Sequence, residues 1–120
     1  MDSSNSYSEE LLVTLANAQV FRLIQNDRLK LQEGQLRIMH SVNNTTNEQA
    51  FYLQVSSFVY TLQKVIPFIV KEYETHTTLI FPHADQSFTG LVLLKASENL
   101  DAVMGVLGNL VTLQTYEVAI

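Results

Sequence analysis

Between Phe51 and Leu94 the chain alternates apolar and polar positions in five short runs. They are Phe51-Tyr-Leu-Gln-Val55, Phe58-Val-Tyr-Thr-Leu62, Val65-Ile-Pro-Phe-Ile-Val70, Thr78-Leu-Ile-Phe81 and Phe88-Thr-Gly-Leu-Val-Leu-Leu94. A period of two puts successive side chains on opposite faces of an extended backbone, so each run is predicted to be a strand with one face buried. The pattern then changes. Leu100, Val103, Met104, Leu107, Leu110 and Val111 recur at the spacing of one helical face. Ser97 is the expected N-cap, with Glu98 and Asp101 placed favourably against the helix dipole. Gly105 falls on the opposite side of this helix and Gly108 at its margin, both as residues tolerated on a helix held by packing. Strands followed by one closing helix outline a small β-barrel or sandwich capped at one end.

Upstream the signal is less regular. Leu11-Leu-Val-Thr-Leu15 and Gln19-Val-Phe-Arg-Leu-Ile24 flank Ala16-Asn17-Ala18. Asn tolerates a left-handed backbone, so a hairpin is expected there. One helix over 8–24 is the rival, because Ser8-Glu-Glu10 suits a helix start. The β-branched and aromatic content favours strands. Turns are expected at Asn26-Asp27 and again at Glu33-Gly34, with Leu36 and Ile38 sharing a face beyond them. The tract 41–49 is expected to be the longest loop. These boundaries give a disordered polar tail over 1–10, one interaction domain over 11–114, and an extension or linker over 115–120.

Charge narrows the function classes. The chain has 120 residues, a net charge of −5 and only seven Lys and Arg. Nucleic acid and anionic membranes both demand clustered cations, so neither is an expected partner. There is no cysteine, which excludes disulfides and zinc–thiolate sites. The opening residues are polar and acidic rather than signal-like, and no apolar run reaches the roughly 20 residues of a membrane helix. A cytoplasmic location is the expectation. The two overlapping Asn-x-Thr motifs, at Asn43 and Asn44, then read as a polar loop rather than glycosylation acceptors.

No catalytic constellation emerges. His40, His76 and His83 lack metal-site spacing. His83 and Asp85 form a conceivable loop pair but sit where a turn is expected. Glu72 and Glu74 flank Tyr73 and would share a strand face at a solvated edge. Glycines stand only at 34, 90, 105 and 108, too dispersed for a phosphate-binding loop. The expectation is therefore a non-enzymatic module without metal or cofactor. Binding candidates come from an aromatic followed three residues later by an aliphatic, a pattern that can dock into a ubiquitin-like modifier as an added strand. Phe21 with Ile24 is the first choice, since an edge strand is plausible early in the chain. Tyr52 with Val55 is the second, and Phe88 with Leu91 also fits.

The order of the segments carries a resemblance. Phe51-Tyr-Leu-Gln-Val-Ser-Ser-Phe-Val-Tyr60, Pro67-Phe68, Leu79-Ile-Phe-Pro82 and Phe88-Thr-Gly-Leu-Val-Leu93 resemble, in sequence, the middle region of the spartin/senescence-domain family. Gly34-Gln-Leu-Arg-Ile38 and the stretch from Leu11 to Ile24 extend the likeness over residues 11–113. The resemblance implies a pleckstrin-homology-like fold of about seven antiparallel strands capped by a C-terminal helix. It also implies an adaptor in endosomal trafficking and lipid-droplet turnover that binds ubiquitin or autophagy modifiers. The alternatives are a phosphoinositide-binding module, for which the first-hairpin cations Arg22, Arg28 and Lys30 are few, and a purely structural self-associating domain. Two departures stand out. The microtubule-interacting and senescence domains of relatives have no counterpart here, as in a fragment or short form. Tyr60-Thr-Leu-Gln63 replaces their aromatic-Pro-Leu segment.

Overall fold

The computed structural model describes residues 6–24, 27–83 and 87–117. The protein is mainly β, with one helix near its C-terminal end. In chain order the elements are β1 (Tyr7–Ile24), β2 (Asp27–Asn43), β3 (Gln49–Val55), β4 (Phe58–Leu62), β5 (Pro67–Glu72), β6 (His76–Pro82), β7 (Phe88–Leu94), α1 (Leu100–Leu110) and β8 (Thr112–Glu117). They form one open eight-stranded sheet in the order β4-β3-β2-β1-β7-β6-β5-β8. All neighbours are antiparallel except β8, which lies parallel to β5.

One face of the sheet carries the core. Leu15, Val20, Leu36, Ile38, Leu53, Val55, Phe68, Val70, Leu79, Phe81, Leu91 and Leu93 are buried there, most of them at alternate positions of their strands. The sheet curls until β4 faces β5 and β6. Tyr60 meets Phe81 with ring centroids 4.5 Å apart, and Phe81 stacks on Phe68 at 4.4 Å. The Tyr60 hydroxyl donates to the Pro82 carbonyl oxygen at 2.7 Å. Closure is thus by side chains, and β4 and β8 remain the hydrogen-bonding edges of the sheet.

Helix α1 is where the periodicity placed it, with Val103 and Leu107 buried in the core and Leu100, Met104 and Leu110 packed beside them. Its start differs from expectation. Asn99, not Ser97, is the N-cap, in a left-handed conformation (φ 69°) and without a side-chain cap. The Asn99 amide instead donates to the Thr14 carbonyl oxygen at 3.2 Å, tying the helix to β1. A short polar side chain is what lets a non-glycine residue occupy this conformation. At the other end Lys64 Nζ donates to the Gly108 carbonyl oxygen, a favourable placement for a cation near a helix C-terminus.

Further expectations are corrected. The strand count is eight rather than seven, because Val111 leaves the helix with extended geometry and Thr112–Glu117 adds a strand beside β5. The hairpin at Ala16–Ala18 and the rival helix are both absent. Instead β1 runs unbroken, and the pairing shifts between Leu15 and Ala18, so Ala16 and Asn17 form a bulge. Glu33-Gly34 does not turn; Gly34 pairs with Ala18 inside β2. Finally, β2 continues to Asn43, which shortens the expected loop, and its pairing with Tyr7 places Tyr7–Glu10 in a strand rather than in a tail. Residues 1–5, Asn26, Asp85 and 118–120, on which other expectations fell, lie outside the described residues.

Candidate binding surface

The face of the sheet opposite the core carries a hollow centred on Gly90. Gly90 sits in the middle of β7, paired with Phe21 of β1 on one side and Ile80 of β6 on the other. With a hydrogen in place of a side chain, it leaves a dent between two large apolar neighbours. A Cβ built at Gly90 would come 3.4 Å from Leu23 Cδ1, ordinary van der Waals contact, because the Leu23 side chain already packs beside it and forms part of the floor. Leu23, Val92 and Thr78 extend that floor, and the space enclosed is about 310 Å³.

The walls are polar. Arg28 lies over the Phe21 ring with its guanidinium carbon 4.4 Å from the ring centroid, a cation–π contact that holds the ring half-exposed. Across the hollow stand Lys71, Tyr73 and His76. Tyr73 stacks on His76 with centroids 4.6 Å apart, and His76 Nδ1 lies 3.1 Å from Thr75 Oγ1. No acidic residue is among the described residues that line the hollow. That is notable in a chain of net charge −5.

The sequence-derived anchors separate clearly. Phe21 is half-buried in this hollow and Ile24 is 49% exposed at the end of β1. Val55 and Leu91 are both 0% exposed, so neither Tyr52-Val55 nor Phe88-Leu91 can present its pair to a partner without unfolding. Tyr52 is engaged elsewhere. Its hydroxyl donates to Glu9 Oε2 at 2.6 Å, and that bond, with some burial, pushes the phenol pKa above its ordinary value. The edge-strand placement expected for Phe21 is corrected: β1 is an interior strand, paired with β2 and β7 on its two sides around Phe21. Strand addition along β1 is therefore blocked, and Phe21 is available only through the face of the sheet.

The remaining candidates for chemistry disperse. Arg22 points to the core side, with Nη2 2.8 Å from His83 Nε2. A guanidinium only donates, so His83 accepts through Nε2 and directs Nδ1 toward Thr89 Oγ1, 3.3 Å away. His40 stacks on Phe51. Glu72 accepts from Thr77 Oγ1 and sits 3.7 Å from Lys95, while Glu74 lies beyond the end of β5, so the two carboxylates share no strand face. Among the described residues there is no cluster of three or more metal-ligating side chains, and no helix is long and apolar enough to cross a membrane.

Lys71, Ile80 and Val92 were not singled out in the sequence, and Arg28 only as a cation of the first hairpin, because strands far apart in the chain bring them together. One signal was present. An isolated glycine inside the aliphatic run Phe88–Leu94 marks a place where something approaches the backbone closely. No family model matches this chain, and no match was found among the curated proteins.

Proposed function

We propose that this chain is a non-enzymatic, pleckstrin-homology-like protein-interaction domain of the spartin type. In this reading it is a cytoplasmic adaptor, peripheral on endosomes or lipid droplets, that binds ubiquitin or an autophagy modifier. The order β4-β3-β2-β1-β7-β6-β5 followed by a core-packed helix supports the fold assignment, with β8 as an addition. The observation that carries the binding assignment is the partly exposed Phe21 in the hollow of the outer face. Ile24, 49% exposed and three positions further along an extended strand, lies on the opposite face and is not part of that surface. Because β1 is interior, the partner is held against the sheet face rather than as an added strand. A lipid-headgroup reading is disfavoured: of the cations of the first hairpin, Arg22 is turned to His83 and Lys30 is paired with Glu33, leaving Arg28.

Titrating the domain into isotopically labelled ubiquitin, and separately into a labelled autophagy modifier, tests this directly. Contiguous chemical-shift changes are expected for at least one of the two, weakened at least tenfold by Phe21→Ala. Absence of shifts in both, or shifts insensitive to Phe21→Ala, would contradict the proposal.

A further inference from the structure

The hollow around Phe21 has a charge pattern as well as a shape. It runs across the strands from Arg28 on β2 to Lys71 on β5, with Phe21, Gly90 and Ile80 between them. Neighbouring strands lie about 4.8 Å apart and the ladders set Lys71 four residues along the strands from Arg28, so the diagonal from β2 to β5 covers about 23 Å of sheet surface. Each end carries a cation and the middle is apolar. Among the described residues neither Arg28 nor Lys71 has an ion-pair partner; the ion pairs present use Lys30, His40 and Lys95.

We infer that this groove receives an extended peptide in which one apolar side chain, seated over Gly90, is flanked on both sides by acidic residues. An extended chain advances about 3.3 Å per residue, so about seven residues reach from one cation to the other. The apolar side chain is buried against Phe21, Ile80 and Val92, and the flanking carboxylates pair with Arg28 and Lys71. Charge complementarity selects this occupant over an anionic membrane, which is gripped by clusters of four to eight cations rather than two held apart by an apolar span. The inference rests on the reading of the Phe21 face as the partner surface, and adds the chemistry of what that face takes up.

The test uses the whole chain and a fluorescein-labelled peptide, Gly-Glu-Glu-Leu-Glu-Glu-Gly, followed by fluorescence anisotropy at low salt. Saturable binding is expected, weakening as salt is raised. Replacing the central Leu by Gly is expected to abolish it, and Lys71→Glu to weaken it at least tenfold. A peptide with Lys in place of each Glu is expected to bind Arg28→Glu/Lys71→Glu more tightly than the parent chain. Lys71→Glu with an unchanged thermal melt attributes its loss to the groove. If its melt is lowered, the charge-swapped pair of peptide and double variant decides instead. No saturable binding, or binding indifferent to both charge changes, overturns the inference. Co-sedimentation with phosphatidylserine vesicles in place of peptide binding overturns it too, and assigns the groove to a lipid surface. Failure here is separable from failure of the modifier reading. Peptide binding without a ubiquitin or modifier response leaves the groove standing and removes the modifier. A modifier response that needs Phe21 but ignores Lys71→Glu, without peptide binding, does the reverse.

Discussion

Tyr60 shows how one side chain can serve both core and closure. Its ring packs against Phe81 and meets Phe68 edge-on, and its hydroxyl finds an acceptor on Pro82 across the curl of the sheet. Burial pushes the phenol pKa above its ordinary value. A group whose folded pKa is raised stabilises the fold fully below its unfolded pKa, about 10 for tyrosine, and that contribution is lost as pH rises through the folded value. Tyr60→Phe is expected to remove a late-titrating component from the tyrosinate absorbance curve. It should also cost about 1 kcal/mol in chemical denaturation through the lost hydrogen bond. Loss of a component that titrates at the ordinary tyrosine pKa instead would place Tyr60 in solvent. Phe21 makes the complementary point. Its aromatic-x-x-aliphatic motif was legible in the sequence, but its interior position was not, because its neighbour on β7, Gly90, lies 69 residues away.

Among the elements, legibility followed the regularity of the local pattern. Strands β3, β4 and β7 and helix α1 were readable because alternation or helical period is unbroken within each, and short turns bound them. Strand β1 was split into two because its bulges shift the apolar phase: Leu15 and Ala18 face the same side although three positions apart. Strand β8 was missed because Thr112, Gln114 and Thr115 carry little hydrophobic signal; it is placed by its ladder with β5. Helix α1 offers paired substitutions with opposite signs. A Cβ at Gly105 meets nothing within 4 Å, so Gly105→Ala is expected to stabilise by up to about 1 kcal/mol through helix propensity. Leu107 is fully buried, and Leu107→Ala is expected to destabilise by about 3 kcal/mol. Thermal or urea unfolding measures both. A destabilising Gly105→Ala would mean that this side of the helix is covered, and a neutral Leu107→Ala that α1 does not seal the core.

The whole molecule is elongated, with extents of 58 × 32 × 25 Å. The long β1–β2 ribbon accounts for this shape, since its 18- and 17-residue strands outrun their shorter neighbours. The core is confined to one sheet face and the helix, which leaves the other face over β1, β7, β6 and β5 free to carry the hollow. That separation is the basis of the proposed function: the inner face holds the fold together, and in that proposal the outer face at Phe21 and Gly90 meets the partner. Mapping ubiquitin and an autophagy modifier onto the labelled domain by amide chemical shifts addresses it most directly. Changes should concentrate on Phe21, Ile80, Gly90 and Val92 and fade toward β3 and β4. Changes confined to the β3–β4 side or to α1, or no change with either protein at near-millimolar concentration, would contradict it.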